Sequence, residues 1–353
     1  VGTGGRGRHL ARQFTKLDAV RVVAACDADS REMKKCIDET DKQYGDRACR
    51  GYSDFREIMA RKDIDTVTVA TPDHWHALIS IAAARAGKHI FCEKPLANSI
   101  GESKALRDAV RKFGVVLQTG SCERSRANAR YCCELVRNGY IGKLHTLFIH
   151  LPTDQGHHER VRQQVAMPSS EQPPAELNYD LWLGHTPKIA YYPGLHPGSW
   201  RFNLSFGCGE MSDRGAHVID LAQLGNNSDD SGPVSIEAKG WDDAHGLYNA
   251  PMAFEFQNIY ASGVKMIGGT TRKPRGVRFE GDEGWIFLRV HEGTLEASDE
   301  KLLKLDPEKF KMQLGRTSSH EQNFIDAIKS GSRPFADVEI GHRSCTACLV
   351  NMM

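Results

Sequence analysis

The run Gly2-Thr3-Gly4-Gly5-Arg6-Gly7, followed by Val20-Arg21-Val22-Val23-Ala24-Ala25-Cys26-Asp27, constrains this chain more than any other feature. The glycines fit G-x-G-x-x-G, and Leu10, Ala11 and Phe14 recur behind them at helical spacing. In such a turn the first glycine permits the tight bend, the second lets the backbone approach a pyrophosphate, and the third lets helix pack on strand. The helix N-terminus then faces the phosphates. With 33 glycines in the chain, a plain glycine turn is the simpler alternative. Asp27 argues against it, because an acid about 20 residues beyond the last glycine, at the end of a β-branched run, is placed to accept the adenosine ribose hydroxyls. An acid there repels a 2′-phosphate, so NAD is expected and NADP is less favoured. Arg31 is the nearby cation that could bend over the adenine or engage a phosphate. The competing reading makes Asp27 the N-cap of the helix through Met33 and Ile37. Such a turn also follows a strand, so the true N-terminus is expected to precede Val1.

A regular alternation continues from there. Ile64-Asp65-Thr66-Val67-Thr68-Val69-Ala70-Thr71 has strand composition and stops at Pro72. Asp73-His74-Trp75-His76 opens a helix carrying Ala77, Leu78, Ile81, Ala82 and Ala84, which Gly87 ends. Lys88-His89-Ile90-Phe91-Cys92 and Gly114-Val115-Val116-Leu117-Gln118-Thr119-Gly120 are two more strands. The β-α-β-α-β order predicts an α/β fold with a doubly wound parallel sheet, whose ligand lies beyond the carboxyl ends of the strands. Thr71-Pro72-Asp73-His74 and Glu93-Lys94-Pro95 stand at such ends. At 353 residues the chain exceeds the usual reach of one core. Two domains are expected, 1–122 and 123–353.

The run TPDHWHALISIAAARAGKHIFCEKPLANS, with the glycine turn and Asp27 before it, resembles the glucose-fructose oxidoreductase, inositol dehydrogenase and MocA (Gfo/Idh/MocA) family over nearly the whole chain. The resemblance implies an N-terminal Rossmann domain and a C-terminal α/β domain on a large open sheet, commonly an oligomer interface. It also implies that Lys94 sits near the nicotinamide, where it orients the substrate hydroxyl and relays its proton, presented by the turn at Pro95. Without the family, Lys94 is a surface lysine paired with Glu93. Partial burial in a ligand-lined site would suit it to acid–base work. The expected cofactor set is Gly2, Gly4, Gly5, Arg6, Gly7 and Asp27 from the turn, with Thr71, Pro72, His74, His76, Glu93, Lys94 and Gln118 from the strand ends and their neighbours.

Beyond residue 122 the pattern changes. Ala129 to Val136 reads as a helix and Lys143 to His150 as the first strand of a second sheet. Residues 152–176 are a polar excursion rich in Pro, Gln and Ser, expected to cover the active site or reach a neighbouring subunit; its His157-His158 pair is read as solvated rather than metal-binding. Tyr191-Tyr192-Pro193-Gly194-Leu195-His196-Pro197-Gly198-Ser199-Trp200-Arg201-Phe202 suits a sugar, with flat faces for C–H stacking and donors for hydroxyls. Next, Asp213 and His217 stand four apart and would share one face of a single helix. In isolation this is an N-cap aspartate and a buried structural histidine; the resemblance implies an acid–base histidine with a partnering aspartate. The expected substrate set is Lys94, Arg124, His196, Trp200, Arg201, Asp213 and His217. A metal at Cys208, His196 and Asp213 lacks trustworthy ligand spacing, and none is expected. From residue 233 five alternating segments read as strands of a mainly antiparallel sheet with one wet or subunit-facing side, followed by helices from Ser319 and Val338. A further C-terminal tail is expected after Met353.

The net charge of +1, from 46 basic and 45 acidic residues, provides no field for nucleic acid or anionic lipid. No apolar run approaches a membrane span. Ten scattered cysteines without paired C-x-x-C motifs point to reduced thiols. A cytoplasmic enzyme is expected, or a periplasmic one if an export signal has been lost.

Three functions are compatible with this reading. The first is an NAD-dependent dehydrogenase acting on a secondary hydroxyl or ketone of a sugar, glycoside or cyclitol, using Lys94, Asp213 and His217. The second is a glycosidase that oxidises the sugar transiently with retained NAD, and the third a non-catalytic NAD or sugar sensor. The expected assembly is a homo-oligomer, dimer or tetramer, built through the C-terminal sheet.

Overall fold

The computed structural model describes residues 1–152, 161, 169–196, 198–241 and 246–353. His157, His158 and most of the polar excursion lie outside the described residues.

In the first third of the chain, α1 (Gly5–Phe14) leads to β1 (Ala24–Cys26), α2 (Ser30–Tyr44), β2 (Arg50–Tyr52) and α3 (Phe55–Ala60). β3 (Thr66–Val69), α4 (Asp73–Arg85), β4 (His89–Cys92), α5 (Ile100–Phe113) and β5 (Leu117–Thr119) follow. β1 pairs in parallel with β2, and β4 pairs in parallel with both β3 and β5. Val1 and Gly2 link the two pieces. The Val1 ammonium donates to the Thr68 carbonyl at 2.7 Å, Ala70 N–H to the Val1 carbonyl at 2.9 Å, and Gly2 N–H to the Cys26 carbonyl at 2.9 Å.

The central strands are buried on both faces, as parallel strands between helices must be. Ile90, Phe91 and Cys92 are wholly inaccessible. Phe91 meets Phe14 of α1 edge-on, with ring centroids 5.4 Å apart. On the same side it meets Phe324 at 5.8 Å, from α10 (His320–Ser330), a helix late in the chain. α11 (Val338–Leu349) likewise returns to the N-terminal part, where the His342 ring Nδ1 lies 2.8 Å from the Ser103 hydroxyl of α5.

Residues between these parts form α6 (Ala127–Arg137), β6 (Leu144–His150), α7 (Tyr179–Leu183), α8 (Gly209–Asp213), α9 (Gly215–Gly225) and six more strands. These are β7 (Pro233–Trp241), β8 (Ala253–Tyr260), β9 (Lys265–Gly269), β10 (Gly276–Gly281), β11 (Gly284–Arg289) and β12 (Leu295–Ala297). Their sheet runs β12-β11-β10-β6-β9-β8-β7, antiparallel except where β6 lies parallel to β9. Alternation sets its faces: Phe254, Phe256 and Tyr260 of β8 are buried while Glu255 is exposed. The buried side packs on α6 and α9 through Val218, Leu221 and Ala222. α9 lies so close that a Cβ at Gly225 would stand 2.3 Å from the Phe279 ring. β7 is a long, exposed edge carrying Val234, Ile236 and Trp241.

All ten cysteines are free thiols, and nine are buried. Among the described residues, no helix is long and apolar enough to cross a membrane.

The structure corrects one sequence expectation and removes one competing reading. Asp213 and His217 do not share one continuous helix: the chain breaks at Arg214, so Asp213 ends α8 and His217 lies in the first turn of α9. The N-cap of α2 is Asp29, whose carboxylate accepts the Arg31 N–H at 2.9 Å, which removes the capping alternative for Asp27.

Candidate active site

A cavity of about 650 Å³ opens where the carboxyl ends of β1, β3 and β4 meet the junction of α8 and α9. This is within the usual size range of small-molecule sites.

Its first end is a glycine cradle. Gly2 has φ of +79°, and a Cβ there would stand 2.5 Å from the Thr71 backbone nitrogen. A Cβ at Gly7 would stand 1.9 Å from the Gly2 carbonyl oxygen, so α1 packs directly on the turn. Gly4 and Gly5 differ: a Cβ at either would meet nothing within 4 Å, and both line the cavity. The N-terminus of α1, without a side-chain cap, therefore has open space over it for an anion. Asp27 lies beside it. One of its carboxylate oxygens accepts the Thr3 N–H at 2.5 Å and the Thr3 hydroxyl at 3.0 Å, and the other accepts the Asp29 N–H at 2.9 Å. Open backbone over a helix N-terminus and a fixed carboxylate at the neighbouring strand end fit a dinucleotide. Arg31 is held at Asp29 by contacts of 3.1 and 2.7 Å.

The middle of the cavity is built by the β3 and β4 ends. Thr71 and Pro72 line it with His76 behind them. The His76 ring nitrogens lie 2.7 Å from the Pro95 carbonyl and 2.9 Å from the Thr71 carbonyl. Burial pushes its pKa down, so the neutral ring donates to one of them at a time and ties the two loops together. Glu93 pairs with Arg6 at 2.7 Å, rather than with Lys94. The Lys94–Pro95 peptide is cis.

At the far end, Lys94 Nζ donates to both the carboxylate and the main-chain carbonyl of Asp213, each at 2.7 Å. Burial alone would raise the Asp213 carboxyl, but Lys94 and Arg201 hold it well below the usual carboxylate range. Arg201 Nε lies 3.4 Å from the same carboxylate, and its guanidinium stacks 4.3 Å above the Trp200 ring. His217 also lines the cavity, its basicity lowered by burial and then by Lys94 and His291. Its Nδ1 is buried without a hydrogen-bond partner. Asp73, at the first position of α4, also lines this end; burial, opposed by Arg201 and Lys94, pushes its carboxyl up to about 8. The arrangement presents a neutral imidazole, an ammonium and a carboxylic acid to a small polar molecule.

Residues 1–121 match the family model described as oxidoreductase family, NAD-binding Rossmann fold, and residues 129–353 match the one for the oxidoreductase family's C-terminal alpha/beta domain. The chain belongs to the Gfo/Idh/MocA oxidoreductase family. Its first 121 residues are therefore an NAD-binding Rossmann fold, and the mixed seven-stranded sheet lies in the family's C-terminal alpha/beta domain. Among curated relatives of this Gfo/Idh/MocA chain, levoglucosan dehydrogenase of Pseudarthrobacter phenanthrenivorans is 32% identical over 203 residues, 56% of this chain and 43% of that protein. A glycosyl hydrolase family 109 protein of Solibacter usitatus is 35% identical over 158 residues, 41% of this chain and 34% of that protein. The match thus spans less than half the length of these relatives. Aldose-aldose oxidoreductase from Caulobacter crescentus shares the fold with a TM-score of 0.70 at 20% identity, covering 100% of this chain and 96% of that one.

The structure brings most of the expected site residues to one cavity, and four fall elsewhere. Gly7 supports the turn from behind. His74 is buried among Trp182, Phe206 and His185, with its ring Nε2 3.1 Å from the Trp182 carbonyl. Gln118 is inaccessible and donates to the His320 carbonyl at 2.5 Å. Arg124, expected to touch substrate, is instead a buried structural cation held by Asp220 at 2.7 Å and Asp229 at 2.8 Å. Asp213, expected to partner His217, is turned instead to Lys94, and His217 Nδ1 has no hydrogen-bond partner.

Sequence reasoning missed Asp73, Glu123 and His291 as cavity residues. Asp73 stands inside the T-P-D motif, where the strand end and the histidines carry the more visible signal. Glu123 and His291 carry no local signal, since a short 3-10 turn and a hairpin tip bring them together from positions 168 apart.

Proposed function

We propose that this protein is an NAD-dependent oxidoreductase that moves a hydride between nicotinamide and a secondary hydroxyl or ketone of a sugar, glycoside or cyclitol. The observation that carries the reading is the convergence of Lys94, Asp213 and His217 on one cavity with an open glycine cradle and Asp27 at its other end. The levoglucosan dehydrogenase relative supports the substrate class.

In the oxidative direction His217 accepts the hydroxyl proton, for which the neutral ring favoured by its burial is the competent form. An ammonium has three N–H donors. Two on Lys94 go to Asp213, and the third is left to bind the reacting oxygen and stabilise its developing charge. Asp213 thus fixes the lysine. Trp200 and Arg201 supply a flat face and hydroxyl donors, with His196 beyond them. Gly2, Gly4, Gly5, Arg6 and Asp27 would hold the dinucleotide, which supplies the hydride acceptor when bound.

A second reading has support from the glycosyl hydrolase family 109 relative: retained NAD could serve transient oxidation of a sugar, with net cleavage of a glycoside. The domains divide at residue 122, and the protein is a cytoplasmic homo-oligomer formed through the C-terminal sheet, whose exposed β7 carries Val234, Ile236 and Trp241. A panel of sugars, cyclitols and glycosides, followed by nicotinamide absorbance and by glycoside cleavage, tests the proposal. NADH appearing with turnover supports the dehydrogenase. Cleavage without net NADH transfers the assignment to the hydrolase, and binding alone defeats both.

A further inference from the structure

His291 lies at the tip of the β11–β12 hairpin with φ of +75°, a left-handed conformation that is strained for a non-glycine residue. Two side chains of the first turn of α6 and its approach hold this tip: Arg126 donates to the His291 carbonyl at 2.7 Å, and Asn128 to the Gly293 carbonyl at 2.7 Å. The His291 ring is fixed as well. Its Nδ1 lies 3.2 Å from a carboxylate oxygen of Glu123, a residue only 2% exposed that also receives Arg126 Nε at 3.1 Å. An ionised carboxylate only accepts, so His291 Nδ1 carries the proton. The ring then meets His217 edge to face, with centroids 4.7 Å apart and planes at 81°. Glu123, Arg126, His291 and His217 line the same cavity.

We infer that His291, braced by Glu123, is a positioning residue for His217, setting the plane of its imidazole and shielding it from water. The inference rests on the reading of His217 as the acid–base group. A histidine kept where glycine would be relaxed marks a position at which the side chain is worth more than backbone ease. The charged and titratable groups facing His217 are Lys94 after β4, Asp213 at the end of α8, Arg6 of α1 and His291. Of these, only Asp213 favours the imidazolium. Removing the His291 ring admits water to His217 and takes away any positive charge on His291. Both effects move His217 toward the protonated form.

The test uses His291→Gly, which suits the local φ and so separates folding from positioning. NMR titration of histidine-labelled protein, with His217→Gln to assign the resonance, reads the His217 midpoint without a substrate. The expected result is a midpoint at least one pH unit higher in His291→Gly, with a thermal midpoint equal to or above wild type. His291→Phe, which keeps a ring wall, should restore much of the lowered midpoint. An unmoved His217 midpoint in folded His291→Gly overturns the inference and leaves the proposed reaction standing. A moved midpoint without hydride transfer to any panel compound overturns the reaction instead. With a turned-over substrate, kcat should fall roughly tenfold to a hundredfold, with KM for NAD unchanged, as expected for a misplaced catalytic group.

Discussion

Lys94 Nζ lies 2.7 Å from both the carboxylate and the backbone carbonyl of Asp213, across 119 positions of sequence. Two contacts from one residue define where the ammonium sits, and they leave one N–H for a ligand. Asp213→Asn keeps the volume and removes the charge. The expected outcome is a kcat loss of about 10²-fold or more, the scale of an electrostatic group aimed at developing charge. Steady-state kinetics on a panel substrate, with NAD affinity measured separately, would check it.

Asp27 is fixed by three donors from Thr3 and Asp29 and lines the cavity beside the glycine cradle. Asp27→Ala should weaken NAD by roughly 1.5–3 kcal/mol, the worth of hydrogen bonds to a charged group. It should also narrow the preference over NADP, by removing the repulsion toward a 2′-phosphate. Titration of both dinucleotides by calorimetry measures each change.

Arg124 is 4% exposed, between Asp220 and Asp229. Breaking a buried ion pair leaves an uncompensated charge, so Arg124→Ala should destabilise the protein by about 3–5 kcal/mol. The site itself should be spared: below its lowered unfolding midpoint the variant should bind NAD normally. A loss of NAD affinity in the folded variant would return Arg124 to the site.

His320 is buried, and burial pushes its pKa to about 4. Its Nε2–H donates to the Thr119 carbonyl at 2.8 Å, and its Nδ1 accepts the Ser125 hydroxyl at 2.8 Å, a neutral pattern. The unfolded chain protonates this ring near pH 6.5 while the folded protein does not, so its contribution to stability falls as pH drops from about 6.5 to about 4. Relative to His320→Gln, wild type should lose up to about 1.4 kcal/mol per pH unit in that window. Paired denaturant titrations at several pH values isolate this group from the opposing acids Asp73 and Glu210, whose pKa values burial raises.

The sequence made local features legible and left long-range ones hidden. Glycine geometry, strand alternation and an acid at a strand end are set by neighbouring residues, so the cradle, Asp27 and most strands could be read directly. β2 and β12, three residues each, are too short to show a period. The break at Arg214 could not be read from the four-residue spacing of Asp213 and His217, because spacing assumes a continuous helix. Arg124 illustrates a different limit: an arginine near a site and an arginine buried between two aspartates look alike until the fold brings Asp220 and Asp229 to it. The return of α10 to cover Phe91 is equally a tertiary fact.

In the proposed reaction Lys94 and His217 handle the substrate proton beside a bound dinucleotide. Its most direct test is turnover of one panel substrate by wild type, Lys94→Ala and His217→Ala, with NAD occupancy measured on the same samples. Each variant should keep NAD and lose about 10²-fold to 10⁴-fold in kcat. Near-normal turnover by either variant with NAD bound would contradict it.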